Sequence, residues 1–256
     1  MKATLTVLGS GTSMGVPTIG CDCRVCVSTD PRDRRTRPSV LLEYEGHTVL
    51  IDSTPDFREQ ALREKIKRLD AVLYTHGHAD HILGLDDLRP LTFKREQKLP
   101  LYADDATAKV IERVFMYAFD AGSTYATRPQ VTLSRLNGSL ELFGATFQPL
   151  QVVHGDEPVT AYRFGTAAYL TDFSAIPERT MSGLSGLDVL FLDALRHRPH
   201  PSHSSLQESL GIVEQLKPAR AFFTHMSHDL PHEETNRMLP ANVRLAHDGL
   251  KLEFEI

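Results

Sequence analysis

The sequence predicts an α/β fold, and three observations lead there. Short apolar, β-branched runs recur along the chain, with amphipathic segments of helical length between them. Several of these runs end on a lone His or Asp, the position at which open α/β sheets carry their sites. Hydrophobic residues make up 41% of the 256, enough for one sizeable core, and no low-complexity linker divides them. A single domain over 1–256 is expected.

The elements follow in order. Thr4 to Leu8 reads as a strand. Gly9 to Ile19 is a loop of Gly, Ser, Thr and Pro without the lysine or the following helix of a P-loop. Cys21-Asp22-Cys23-Arg24-Val25-Cys26 then places all three cysteines within six residues. That is no disulfide framework, but it offers three thiolates to a zinc ion whose fourth ligand comes from elsewhere. Asp30 to Pro38 carries Arg32, Arg34, Arg35 and Arg37. It reads either as a solvated loop or as a contact for a substrate phosphate. Val40–Tyr44 and His47–Ile51 form a hairpin turning at Glu45-Gly46, with Asp52 at its end and His47 a surface strand residue. Asp56 to Lys67 is an amphipathic helix carrying Phe57, Leu62 and Ile66 on its apolar side.

Asp70 to Tyr74 is a short buried strand, and Ile82 to Leu88 begins a helix. Between them stands Thr75-His76-Gly77-His78-Ala79-Asp80-His81, the densest chemistry in the chain. Imidazole and carboxylate together suit zinc, iron or manganese. His76 and His78, two apart in an extended turn, can grip one ion, and Asp80 and His81 are placed for a second. Four such groups would desolvate and repel one another badly without a cation between them. That weighs against a merely solvated histidine-rich loop.

Leu99–Tyr102 is a strand and Ala106–Phe119 a helix. Val131 to Phe147 is β-rich, broken at Asn137-Gly138, and Phe147–Val153 runs into His154. A hairpin of Thr160–Phe164 and Ala167–Leu170 delivers Asp172. Leu187–Leu192 ends at Asp193. A helix over Ser204–Leu216 is capped by Ser204 or Ser205. Ala219–Phe223 leads to His225, and Val243–His247 and Leu250–Phe254 close the chain.

His76-x-His78-x-Asp80-His81 resembles the signature of the metallo-β-lactamase fold superfamily. Gly9-Ser10-Gly11-Thr12-Ser13, Leu50-Ile51-Asp52 and Tyr169-Leu170-Thr171-Asp172 resemble its other landmarks. More narrowly, Gly15-Val16-Pro17 followed by Cys21-x-Cys23-x-x-Cys26 resembles the phosphoribosyl cyclic phosphodiesterase family of bacterial phosphonate degradation, over about Leu5 to Gly249. The resemblance implies an αβ/βα four-layer sandwich, two packed sheets with helices outside, and a small zinc clip near the N-terminus. It implies that His76, His78 and His154 bind one divalent ion, that Asp80, His81 and His225 bind another, and that Asp172 bridges them. Two such ions polarise a phosphoryl oxygen and hold a hydroxide between them as nucleophile. The family favours manganese there, and the ligands also permit zinc or iron. His228 completes the clip of Cys21, Cys23 and Cys26 (loop at about 20–27) around a structural zinc.

His203 is implied to face the substrate, binding a phosphate oxygen or protonating the leaving alkoxide, with Asp80 beside it in the catalytic set. Arg35 is expected at a distal phosphate, Asp193 as a carboxylate holding a ligand histidine, and His197 and His200 as exposed loop residues. The implied activity is hydrolysis of a small cyclic phosphodiester, with 5-phosphoribosyl 1,2-cyclic phosphate as the best single expectation. A tRNA 3′-end endonuclease or a thioesterase on the same scaffold is the alternative, although no basic RNA-binding insertion stands in the sequence. Gly77 disfavours a flavo-diiron oxidoreductase, which places a carboxylate between the two histidines. A non-catalytic protein related to pyrroloquinoline quinone biosynthesis shares the glycine loop and the clip but departs from the H-x-H-x-D-H pattern, which this chain keeps.

The net charge of −5 disfavours a nucleic-acid partner and leaves a small anionic substrate. There is no apolar run of some 18 residues for a membrane. The N-terminus enters a strand without a secretory pattern, and clustered thiols suit a reducing compartment, so a cytoplasmic location is expected. A homodimer is left open.

Overall fold

The computed structural model describes residues 1–93, 95–120 and 127–256. Six strands come first: β1 (Lys2–Gly9), β2 (Ser39–Tyr44), β3 (His47–Ile51), β4 (Ala71–Leu73), β5 (Leu99–Ala103) and β6 (Val131–Arg135). There follow β7 (Leu140–Leu142), β8 (Ala145–His154), β9 (Glu157–Phe164), β10 (Ala167–Leu170), β11 (Val189–Asp193), β12 (Arg220–Thr224), β13 (Val243–Leu245) and β14 (Lys251–Glu255). They build two seven-stranded sheets, in the orders β14-β1-β2-β3-β4-β5-β6 and β13-β12-β11-β10-β9-β8-β7. β3 to β6 are mutually parallel, as are β10 to β13, while the remaining pairings are antiparallel. The Asn137-Gly138 break is where the chain leaves one sheet for the other.

The sheets pack face to face. Leu5, Val7, Val40, Ile51 and Leu73 from the first meet Phe147, Tyr162, Phe164, Tyr169 and Phe191 from the second. Helices cover the outer faces, burying Leu50, Val72 and Ile111 on one side and Leu190, Phe223 and Val213 on the other. Strands buried on both faces read as continuous apolar runs rather than alternations, which is why β11 shows no polar residue before Asp193. This is the four-layer sandwich that the resemblance implies, with the Cys21–Cys26 loop near its N-terminus.

Helices depart more from expectation. The first spans only Phe57–Arg63, ending before Lys65, whose φ is 57°. The helix expected over Ile82–Leu88 is three short pieces, Ala79–Ile82, a 3-10 turn Leu85–Leu88, and Arg89–Thr92. Gly84 explains the break: a Cβ there would lie 2.0 Å from the Thr54 carbonyl oxygen, so the backbones touch where a longer helix would carry a side chain. Helix Leu206–Leu216 starts at Ser205, whose capping box with Glu208 satisfies two otherwise orphaned amides. Two helices, Glu178–Gly183 and His232–Met238, were not expected. Among the described residues no helix is long and apolar enough to cross a membrane.

Candidate metal centre and its surroundings

Strand exits of both sheets deliver polar residues to one place. β4 leads into His76–His81, β8 ends on His154, Asp172 stands two residues past β10, and His225 one past β12. His76 Nε2 and His78 Nδ1 lie 2.9 Å apart. With His154 they form one group whose nitrogens all fall within 4.8 Å of one another. Asp80, His81, Asp172 and His225 form a second group by the same measure. Asp172 touches both: Oδ1 is 3.3 Å from His81 Nε2, and Oδ2 is 3.2 Å from His225 Nε2 and 3.9 Å from His76 Nε2.

This donor set fits divalent cations. His81 Nε2, His225 Nε2 and Asp80 Oδ2 are buried and have no hydrogen-bond partner, although they face one another at 3.3–3.5 Å. Buried polar atoms left this way cost free energy unless something binds them. The local field selects a positive charge. Burial works against an imidazolium at His81, yet the carboxylates of Asp80, Asp172 and Asp52 outweigh it and raise its pKa well above the usual range.

The opposite ring atoms are anchored. His81 Nδ1 donates to Asp52 Oδ2 at 2.7 Å, and Asp52 also accepts from the Thr75 amide and hydroxyl, each at 2.8 Å. His154 Nδ1 donates to the Ser202 carbonyl at 2.6 Å. Such partners fix ring tautomer and orientation. Asp52, Asp172 and His225 all hold left-handed backbone, with φ of 64°, 48° and 56°. A Cβ at Gly77 would stand 3.0 Å from the Val110 side chain, a close approach that the absence of a side chain allows.

The cysteine cluster is equally specific. Sγ of Cys21, Cys23 and Cys26 lie 3.3, 3.5 and 3.2 Å from His228 Nδ1. A tetrahedral zinc with Zn–S of about 2.3 Å and Zn–N of about 2.0–2.1 Å separates sulfur and nitrogen by roughly 3.6 Å. The Thr18 amide donates to Cys26 Sγ at 3.3 Å. The clip is tied to the metal centre through the glycine loop, where Met226 N donates to Ser10 O and Thr12 N to Met226 O.

His203 lies against both groups, its ring stacked 4.7 Å from His225 and edge-on 4.5 Å from His154. Its Nδ1 donates to Asp193 Oδ2 at 2.7 Å. Asp193 Oδ1 is 3.9 Å from His225 Nδ1, so the carboxylate anticipated for a ligand histidine chiefly holds His203. His203 also falls within ligand range of His154 and Asp172. His197 is exposed as expected, whereas His200 is half-buried, 5.2 Å from His203. A cavity of about 250 Å³ opens here, lined by Thr12, Ser13, Arg196, Arg198, His200 and His203.

Arg35 is not a substrate contact, and that expectation is corrected. Its side chain is fully buried, donating from Nη1 to Ser227 O at 2.8 Å and from Nη2 to Leu230 O and Asp33. Burial brings its pKa down to about 10. Two more arginines of the loop are paired: Arg32 with Asp30 and Glu233, and Arg37 with Asp56, while Arg34 is exposed. Sequence reasoning missed what Asp52 does, although its position at a strand exit matches those of Asp172 and His225. Arg196 and Arg198 carry no local pattern in the sequence; Arg196 donates to the carbonyls of Arg198 and Pro199, and Arg198 lies 4.0 Å from Asp229 on the same cavity.

The fold and the paired donor clusters define a metal-binding hydrolase. The chain belongs to the beta-lactamase superfamily, whose domain model matches residues 47–226. Within it, the chain is similar to a solved structure described as a new diphosphatase from the PhnP family, at 63% identity and a TM-score of 0.94, covering 99% of this chain and 98% of that one. It is 39% identical over 250 residues to an octanoyltransferase of Porphyromonas gingivalis, covering 96% of this chain but spanning only 50% of that protein's length. A coenzyme PQQ synthesis protein B of Methylorubrum extorquens is 33% identical over 307 residues, covering 98% of this chain and 99% of that one.

Proposed function

We propose that this chain hydrolyses small phosphoric diesters, with 5-phosphoribosyl 1,2-cyclic phosphate as the preferred candidate. The observation that carries the reading is His203: a histidine oriented by a buried carboxylate, beside two metal-donor groups, at the mouth of an arginine-lined cavity. In this reading His76, His78 and His154 hold one divalent cation, Asp80, His81 and His225 a second, and Asp172 both. A zinc stands at Cys21, Cys23, Cys26 and His228. The cations supply Lewis-acid activation of phosphoryl oxygen and of water.

The protein's own groups do the rest. Asp193 accepts from His203 Nδ1 and so fixes the ring, leaving Nε2 as the atom that protonates the departing oxygen. Arg196 and Arg198 hold an anionic group remote from the reacting phosphorus. The carboxylate anchors at Asp52 and Asp193 keep the rings in place, so little reorganisation accompanies reaction.

A second reading, a diphosphate linkage as substrate, is supported by the PhnP-family diphosphatase that is 63% identical. In both readings the phosphorus attacked carries two substituted oxygens, ester or anhydride, where a phosphomonoester has only one. The test is turnover, under one manganese or zinc loading, of 5-phosphoribosyl 1,2-cyclic phosphate, bis(p-nitrophenyl) phosphate, ADP-ribose, p-nitrophenyl phosphate, a thioester and a precursor tRNA. Fastest turnover of the cyclic ester supports the first reading, and of ADP-ribose the second. A thioester or tRNA outpacing every diester overturns both. His203→Ala is expected to retain its metal while losing about 10²–10⁴ in rate.

A further inference from the structure

A second, larger cavity, of about 560 Å³, lies where helix His232–Met238 packs on β13 and the turn into β14. It shares no lining residue with the cavity beside His203, and none of the metal donors reaches it. The half-buried Leu239 and Leu250 give it an apolar wall, and Arg32, Arg237 and Arg244 line it against a single carboxylate, Glu233. Arg32 and Arg237 already share Glu233, at 3.1 and 3.2 Å. Arg244 has no carboxylate among the described residues, its Nη1 donating only to the carbonyls of Pro240 and Val243. His232 is 3% exposed, and its Nδ1 is buried without a hydrogen-bond partner.

The field in this cavity is positive. Burial, then Arg32, Arg35 and His247, bring the His232 imidazole down to about 4. A space of several hundred Å³ with an apolar wall and a few convergent polar groups is the usual form of a small-molecule site.

We propose that this cavity is a second ligand site, for an organic phosphate the size of a nucleoside monophosphate. Its planar ring packs on Leu239 and Leu250, its phosphate meets Arg244 and Arg237, and a polar ring atom satisfies His232 Nδ1. A guanidinium without a carboxylate is the group an incoming phosphate engages without displacing an existing ion pair.

The test is a fluorescence titration of the metal-loaded full-length chain with trinitrophenyl-AMP, displaced by AMP. Saturable binding is expected in the wild type. Arg244→Glu is expected to weaken it at least about tenfold by opposing the phosphate, with circular dichroism and turnover of bis(p-nitrophenyl) phosphate unchanged. Asp172→Asn, which strikes the metal centre, is expected to bind the probe as the wild type does. The proposal is overturned by wild-type binding that does not saturate, by Arg244→Glu binding at wild-type strength, or by loss of binding in Asp172→Asn. These outcomes are independent of which diester the metal centre hydrolyses.

Discussion

At the scale of single residues, Asp52 shows what an anchoring carboxylate does. It contacts no candidate cation, yet it sets which nitrogen of His81 faces the donor cluster. Asp52→Asn removes the charge and turns one of the two oxygens accepting from Thr75 and His81 into a donor, and is expected to weaken metal binding about 10–100-fold. Competition with a chromogenic chelator measures this, and unchanged affinity would remove Asp52 from the site. The donors themselves were legible because their chemistry is local: four sit within six residues, and three end apolar strands. The partner of His81 was not, because a hydrogen bond between residues 29 apart is made by the parallel pairing of β3 with β4. Arg35 misled for a similar reason. An arginine-rich loop reads as an anion contact, and nothing local announces that Arg35 pairs backbone with Val16 and is drawn inside.

At the scale of elements, the Arg35 guanidinium is a strut between the arginine loop and the segment Ser227–Leu230 that carries His228. Arg35→Met keeps the bulk but leaves two buried carbonyls without their donor and Asp33 with only the His232 amide and no counter-charge. A loss of roughly 3–5 kcal/mol is expected, the range for removing one partner of a buried ion pair. Denaturant unfolding measures it, and zinc content is expected to fall with stability. Strands were legible because burial on both faces writes itself as unbroken apolar runs. Helices were less so: the segment after His81 has helical composition, but the contact of Gly84 with Thr54 belongs to packing, and no periodicity records it.

At the scale of the molecule, stability depends on pH through groups buried neutral. His232 holds its proton more weakly in the fold, at about 4, than at its ordinary 6.5. Between these values the unfolded chain binds more protons. The contribution is therefore present in full above 6.5 and is lost as pH falls towards 4. Thermal unfolding across pH 4.5–7 is expected to show a steeper acid loss in the wild type than in His232→Gln, and parallel curves would contradict it. The four-layer arrangement itself became legible only by resemblance, since alternating strands and helices do not say that β6 and β7 part company between sheets.

The left-handed backbone at Asp52, Asp172 and His225 has a consequence for how such a molecule responds to selection. A non-glycine residue held there costs on the order of 1–2 kcal/mol, which glycine does not incur. Asp172→Gly is expected to melt higher than Asp172→Ala, and equal melting temperatures would show that the conformation is not strained. A library screened only for heat resistance would therefore drift towards glycine at the strand exits that carry the chemistry. At Asp172 and His225 the proposed chemistry and heat resistance would then pull in opposite directions, whereas at Asp52 the three hydrogen bonds it accepts offset the gain a glycine would bring.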